Sequence, residues 1–298
     1  PLATQFASIK ESLIDGTTLK RKVIGFDINK KRIDELRNNF DKTFEVSENT
    51  LCELEEINFV SDEEYLIESD FFIITVPTPI DKNKKPDFTY LLSASKIFAK
   101  AIKKRKKATI PFVIFESTVY PGATREICIP KIEIESGKKL NEDFICGYSP
   151  ERINPGDISK TISKIKKVTS GSNETGAILI DKLYASIISA GTHIAPSIEV
   201  AEAAKVIENI QRDLNIGLVN ELSLLFEKLN ISSKDVFDAA CTKWNFHDFR
   251  PGLVGGHCIG IDPYYLTYKA EKHNFHPQLI LSARRINDNM SCWVVNKL

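Results

Sequence analysis

An α/β chain is what the sequence predicts: a parallel sheet in its first two thirds and an all-α half built on one long helix after it. Three observations carry that expectation. Phe71-Phe72-Ile73-Ile74-Thr75-Val76 and Phe112-Val113-Ile114-Phe115 are continuous apolar runs, as a strand buried on both faces requires. Helical stretches near residues 88–105 and 123–136 alternate with these runs, and that alternation gives a parallel sheet whose ligands sit at the carboxyl ends of its strands. From Ser197 onward some thirty residues contain neither proline nor a long polar break, which predicts a helix of about 45 Å at ~1.5 Å per residue.

Leu2, Phe6, Ile9 and Leu13 stand at helical spacing, so the chain opens on a helix over residues 2–14. Lys22-Val23-Ile24-Gly25-Phe26-Asp27 is a short strand ending in an acid, and a charged helix from Lys30 to Asn38 follows. An acid at the end of the second strand of a dinucleotide-binding βαβ unit holds the ribose hydroxyls, and Asp27 fits that place. A strand-terminal aspartate capping the next helix is an equal local reading. The G-x-G-x-x-G turn of such a unit does not precede the first helix, so the first strand and phosphate loop are expected to be missing from this chain.

The run ending at Val76 stops at Pro77-Thr78-Pro79, which cannot continue a ladder, and the run ending at Phe115 leads into Glu116-Ser117-Thr118. Asp27, Thr78 and Thr118 are therefore the expected strand-end residues. Phe144 to Tyr148 is a further strand, leading into a loop, Ser149 to Gly156, that carries one exposed carboxylate, Glu151. Lys166–Thr169 and Gly191–Ala195 are short strands around a helix near 175–189. Residues 1–196 thus read as a Rossmann-like dinucleotide-binding domain, and residues 197–298 as a helical central domain.

In that second part Ser197 caps the long helix with Glu199 in its first turn. Ala203, Ile207, Ile210, Leu214, Leu218, Leu222 and Leu225 form an apolar stripe, offering a dimer surface. Lys205 and Asn209, four apart, share a face, and taken alone read as surface residues. Further helices are expected near 232–241, 262–273 and 277–296. Between them Gly255-Gly256-His257-Cys258-Ile259-Gly260-Ile261-Asp262-Pro263 places one cysteine among glycines, with Asp262 as helix N-cap and Pro263 at the first helical position. A thiol just ahead of a helix N-terminus is a candidate nucleophile; a turn holding a half-buried thiol is the plain alternative.

Forty basic residues balance forty acidic ones, so no net field draws the chain to nucleic acid or an anionic membrane. The six basic residues within Lys100–Lys107 read as the solvated end of a helix. Six scattered cysteines without a Cys-x-x-Cys suit a reducing cytoplasm. No apolar run approaches membrane-spanning length, and no signal peptide is evident. Adjacent His257 and Cys258 do not match zinc-ligand spacing, so no metal is expected.

Gly25-Phe26-Asp27, Val76-Pro77-Thr78-Pro79, Glu116-Ser117-Thr118-Val119-Tyr120-Pro121-Gly122, Tyr148-Ser149-Pro150-Glu151-Arg152, Glu202-Ala203-Ala204-Lys205-Val206-Ile207-Glu208-Asn209 and Gly255 to Pro263 occur in that order. Together they resemble the UDP-glucose/GDP-mannose dehydrogenase family over essentially the whole chain. Lys243-Trp244-Asn245-Phe246 and Phe249 to Cys258 resemble most the branch that oxidises UDP-N-acetylhexosamines, the UDP-GlcNAc and UDP-GalNAc dehydrogenases.

The resemblance implies a four-electron oxidation of a sugar C6 alcohol to a carboxylate, with NAD as cofactor. It implies that Cys258 adds to the C6 aldehyde, giving a thiohemiacetal and then a thioester. Lys205 would stabilise the C6 oxyanion, and Asn209 would position the reacting oxygen or a water. Asp262 with Thr118 would orient a water, and Glu151 would serve as general acid or base. Asp27 would hold the adenosine ribose and favour NAD over NADP, with Arg32, Val76, Pro77, Thr78, Ser117 and Thr118 around the cofactor. Phe249, Arg250 and Gly255 would join Glu151, Lys205 and Asn209 around the UDP-sugar.

A homodimer through residues 197–229 is implied as well. Where some relatives carry a second glutamate, this chain has Pro155. The family continues into a third, uridine-diphosphate-binding domain beyond Leu298, so this chain alone is expected to bind NAD weakly and turn over poorly. A UDP-glucose dehydrogenase, or an inactive truncated scaffold, is the alternative.

Overall fold

All four strand pairings, in three sheets, are parallel among the described residues, which are 1–8, 21–54, 56–153, 161–255 and 259–297 of a computed structural model. The chain divides into two compact units. Unit 1 comprises Pro1–Pro77, Thr89–Ser117 and Gly122–Glu202, and unit 2 comprises Thr78–Phe88, Thr118–Pro121 and Ala203–Leu298. The long helix α7 (Ile198–Lys228) starts in the first and continues in the second.

Unit 1 runs α1 (Leu2–Ser8), β1 (Val23–Phe26), α2 (Lys30–Arg37), α3 (Glu48–Glu53), β2 (Ile57–Val60), β3 (Phe71–Ile74), α4 (Thr89–Lys104), β4 (Phe112–Phe115), α5 (Ile129–Ser136), β5 (Ile145–Tyr148), β6 (Lys167–Thr169), α6 (Glu174–Ala185) and β7 (Thr192–Ile194). β1 pairs with β2, β3–β4–β5 form a three-stranded ladder, and β6 pairs with β7. Every residue of β4 and β5 is buried, the state their unbroken apolar runs call for. Phe6, Ile114, Ile145, Ile180 and Tyr184 share one core cluster. Of the helix expected over residues 2–14, Ile9 and Leu13 lie outside the described residues.

Strand β2 was not expected: Asn58 breaks its apolar run, and only pairing with β1 (Gly25↔Phe59) makes it a strand. Gly25 is required there, because a Cβ would come within 2.6 Å of the Phe59 ring. The helix expected over 123–136 opens on a π-helical turn, Thr124–Cys128, before α5. The basic run at the end of α4 is paired with acids of its own unit: Lys100 with Glu63 (2.9 Å), Arg105 with Asp70 (2.6 Å), Lys107 with Asp70 (3.3 Å) and Lys104 with Glu64.

Within α7, Ser197 caps as expected, its Oγ accepting the Val200 N–H at 3.2 Å. The stripe does not face inward as a block. Ile210 is buried, whereas Ile207, Leu218 and Leu225 are about half exposed. The buried side is Val206, Ile210 and Val219 interleaved with Lys205, Asn209, Asp213 and Asn220. Apolar periodicity could not find this face because half of it is polar.

Unit 2 adds α8 (Ser233–Ala240), α9 (Asp262–Lys272) and α10 (Gln278–Lys297). The expected N-cap is corrected by one residue: Ile261 occupies the cap without a side-chain bond, and Asp262 is the first helical residue. Its carboxylate accepts the side-chain amide of Asn209 on α7. At the crossing of α7 and α10 a Cβ on Gly217 would meet that of Ala283 at 3.0 Å, so glycine sets the close approach. The segment Thr78–Phe88 is tied to α9 and α10 by Lys84–Asp288 (2.7 Å) and by the Tyr265 hydroxyl donating to the Pro79 carbonyl (3.1 Å).

Candidate active site

Asp27 follows β1 directly and is exposed. The cap of α2 belongs to Asn29, whose side chain accepts the Arg32 N–H. That separates the two local readings of Asp27: it does not cap the helix. One of its oxygens accepts the Asn29 N–H at 2.8 Å. A cleft of about 190 Å³ opens beside it, lined in part by Gly25, Phe26, Asp27, Arg32, Ile33 and Leu36.

Arg32 is engaged by Asp41 at 2.5 Å. Asp41, missed at the level of sequence, is buried and also accepts the N–H groups of Thr43, Glu45 and Val46. Burial alone would raise its pKa. The bonds from Thr43, Arg32 and Val46 outweigh it and hold the carboxyl well below the usual range. A carboxylate at a strand end beside a cleft, with the neighbouring arginine already neutralised, fits the adenosine ribose of NAD.

At the ends of β3 and β4 the Ser117 hydroxyl donates to the Val76 carbonyl at 2.5 Å, just before Pro77. Glu151 has one oxygen accepting the Arg152 and Ile153 N–H groups (2.6 and 2.7 Å), while the other lies 3.7 Å from Lys167. Behind it stands a buried group that sequence reasoning missed. Lys167 pairs with Glu116 at 3.0 Å, and the Tyr184 hydroxyl donates to the same carboxylate. Burial raises the Glu116 pKa, opposed by the Lys167 charge. Glu202, also buried, accepts the Gly122 and Thr124 N–H groups (2.5 and 2.9 Å), and burial pushes it up to about 7. Glu116 and Glu202 open two of the motifs quoted above, and that was the available signal; Lys167 and Tyr184 stand in none of them.

In unit 2 the Thr78 hydroxyl donates to the Thr118 carbonyl at 2.6 Å. Lys205 and Asn209, read locally as surface residues, are both only 8% exposed. Asn209 Nδ2 donates to Asp262 Oδ2 at 2.5 Å, joining residues 53 apart in sequence. Among the described residues no hydrogen bond or ion pair takes up the Lys205 ammonium. Phe249 is half-buried. Arg250 is held by Asp238 at 2.7 Å and by Asp248, and its Nη2 lies 3.4 Å from the Cys241 sulfur. Gly255 is exposed. Cys258, with Gly256 and His257, lies outside the described residues, as do Asn154 and Pro155.

The two units thus supply, one, a parallel sheet with a strand-end carboxylate suited to a dinucleotide and, the other, a helical half carrying a mostly buried lysine one turn from an amide–carboxylate pair. This is the build of a nicotinamide-dependent dehydrogenase. Family comparison agrees: residues 14–188 match the NAD binding domain and residues 199–289 the central domain of the UDP-glucose/GDP-mannose dehydrogenase family. The chain belongs to that family, whose members are NAD-dependent oxidoreductases of nucleotide sugars.

It is 54% identical over 298 residues to UDP-N-acetyl-D-glucosamine 6-dehydrogenase of Pseudomonas aeruginosa, covering 100% of this chain and 67% of that protein. It is 51% identical to the protein of the same name from Salmonella typhi, covering 100% and 66%. The structure of UDP-D-ManNAc dehydrogenase from Pyrococcus horikoshii superimposes with a TM-score of 0.87 at 30% identity, covering 99% of this chain and 67% of that one. The chain therefore spans about two thirds of the length of these relatives.

Proposed function

We propose that this protein oxidises the C6 hydroxyl of a UDP-N-acetylhexosamine to the carboxylate, with two equivalents of NAD, in the cytoplasm and toward surface polysaccharide. The similarity over the full chain to enzymes named for UDP-N-acetyl-D-glucosamine supports the substrate class. The observation that carries the chemistry is Lys205: a mostly buried side chain whose ammonium no hydrogen bond or ion pair takes up among the described residues, on the same helix face as the Asn209–Asp262 pair. An ammonium set at a fixed place on α7 without a counter-charge of its own is a ready donor for an oxyanion forming beside it.

In this reading residues 1–196 bind NAD and residues 197–298 hold the sugar. Asp27 receives the adenosine ribose, with Arg32, Val76, Pro77, Thr78, Ser117 and Thr118 around the cofactor. Each of two NAD molecules, bound in turn, would accept one hydride. Cys258 adds to the C6 aldehyde and carries the acyl group as a thioester; water releases it, with Glu151 as general acid or base. Lys205 stabilises the oxyanion, while Asn209, Asp262 and Thr118 hold the reacting oxygen and water. Phe249, Arg250 and Gly255 contact the sugar nucleotide. Two copies associate through the exposed apolar side of α7.

The test supplies UDP-GlcNAc, UDP-GalNAc and UDP-glucose in turn to this chain, and to the chain extended to the length of its relatives. Two NADH per UDP-N-acetylhexosamine, abolished by Cys258→Ser, is the expected result. No NADH with any of the three from either protein rules the activity out.

A further inference from the structure

Residues 246–255 form neither helix nor strand, yet they contain the proposed sugar-nucleotide contacts Phe249, Arg250 and Gly255. Such a stretch needs something outside itself to fix its path. Asn220, fully buried in α7, supplies it: its Nδ2 donates to the Gly252 carbonyl at 3.0 Å, and its Oδ1 accepts the Gly252 N–H at 2.8 Å. We propose that Asn220 is a positioning residue, clamping the Gly252 backbone so that the 249–255 segment is presented to the sugar nucleotide. The inference rests on the nucleotide-sugar reading above.

A primary amide carries the donor and acceptor needed to answer both groups of one peptide at once. The orientation of this one is fixed from behind. Its second N–H goes to Asn287 Oδ1 at 2.9 Å, and Asn287 Nδ2 donates to the backbone and side-chain oxygens of Asp213, both at 2.9 Å. Asp213 is paired in turn with Arg284 at 2.6 Å. These four side chains are all buried where aliphatic residues would pack at less desolvation cost, which marks the row as serving a defined geometry. Gly252 itself is exposed, and a Cβ built on it meets no atom within 4 Å, so Asn220 and not packing around that position holds the backbone there.

Amide exchange and steady-state kinetics on Asn220→Ala and Asn220→Asp test this. Aspartate keeps the shape and the acceptor but loses the donor. In the unaltered chain the Gly252 amide should exchange about a hundredfold more slowly than an open amide, although it lies outside any helix or strand. Asn220→Ala should speed it at least about tenfold while the α10 amides stay protected, and Asn220→Asp, which keeps the acceptor of that N–H, by less. The KM for the UDP-sugar should rise about tenfold or more with the KM for NAD unmoved. Open-rate exchange at Gly252 in the unaltered chain overturns the clamp, even if neither variant folds. Faster exchange with an unchanged sugar KM overturns the positioning role. NADH production that survives Cys258→Ser instead sinks the underlying reaction, a separate result.

Discussion

Asn209 on α7 donates its side-chain amide to the carboxylate of Asp262, the first residue of α9, across 2.5 Å, and both side chains are buried. A buried carboxylate is costly to keep unless it is bonded, and this one is tied to a neighbouring helix. Asp262→Asn removes the charge at almost constant volume. We expect kcat for NADH formation to fall about 10²- to 10⁴-fold, as for a lost proton-handling group, with the melting temperature little changed. Full activity in that variant would remove Asp262 from the chemistry.

Lys205 separates function from stability. Lys205→Met removes the charge from a mostly buried side chain and keeps its aliphatic stem, so stability should hold or rise. Turnover should drop about 10²- to 10³-fold, the loss typical of one oxyanion donor. Urea unfolding beside NADH formation checks both, and a marked destabilisation at wild-type rate contradicts the assignment.

Asp41 gives unit 1 a pH signature. Its folded pKa is depressed, so the stability it contributes is present above the unfolded value of 3.8 and is lost as pH falls through the folded one. Asp41→Asn should cost roughly 1–3 kcal/mol near pH 7, and the gap from the parent should narrow below about pH 4. Parallel denaturant titrations across that range decide it; a gap that widens on acidification contradicts the sign.

Ile207 and Leu218, eleven residues apart on one side of α7, are 56% and 54% exposed. Replacing both by aspartate should convert a proposed dimer to monomer in sedimentation while leaving the helical circular dichroism signal intact. An unchanged sedimentation coefficient would place any association elsewhere.

Much of this was legible in the residues themselves. Burial on both faces demands unbroken apolar runs, so β3, β4 and β5 announce themselves, and the absence of breakers does the same for α7. The family motifs mark Asp27, Lys205, Asn209 and Asp262 one by one. Sequence could not see β2, because Ile57–Val60 becomes a strand only by pairing with β1 around Gly25. Nor could it tell which side of α7 turns inward.

What the sequence determined by itself is the order of elements and the kinds of chemistry on hand, since both depend on neighbours a few residues apart. Only the tertiary structure decided that Arg32 is neutralised by Asp41, that Lys205 is buried, that Asp262 turns to Asn209, and that Asn220 reaches Gly252. Most of these are meetings of polar groups brought together by chain folding. Their geometry comes from the approach of packed elements, and no spacing along the chain encodes it.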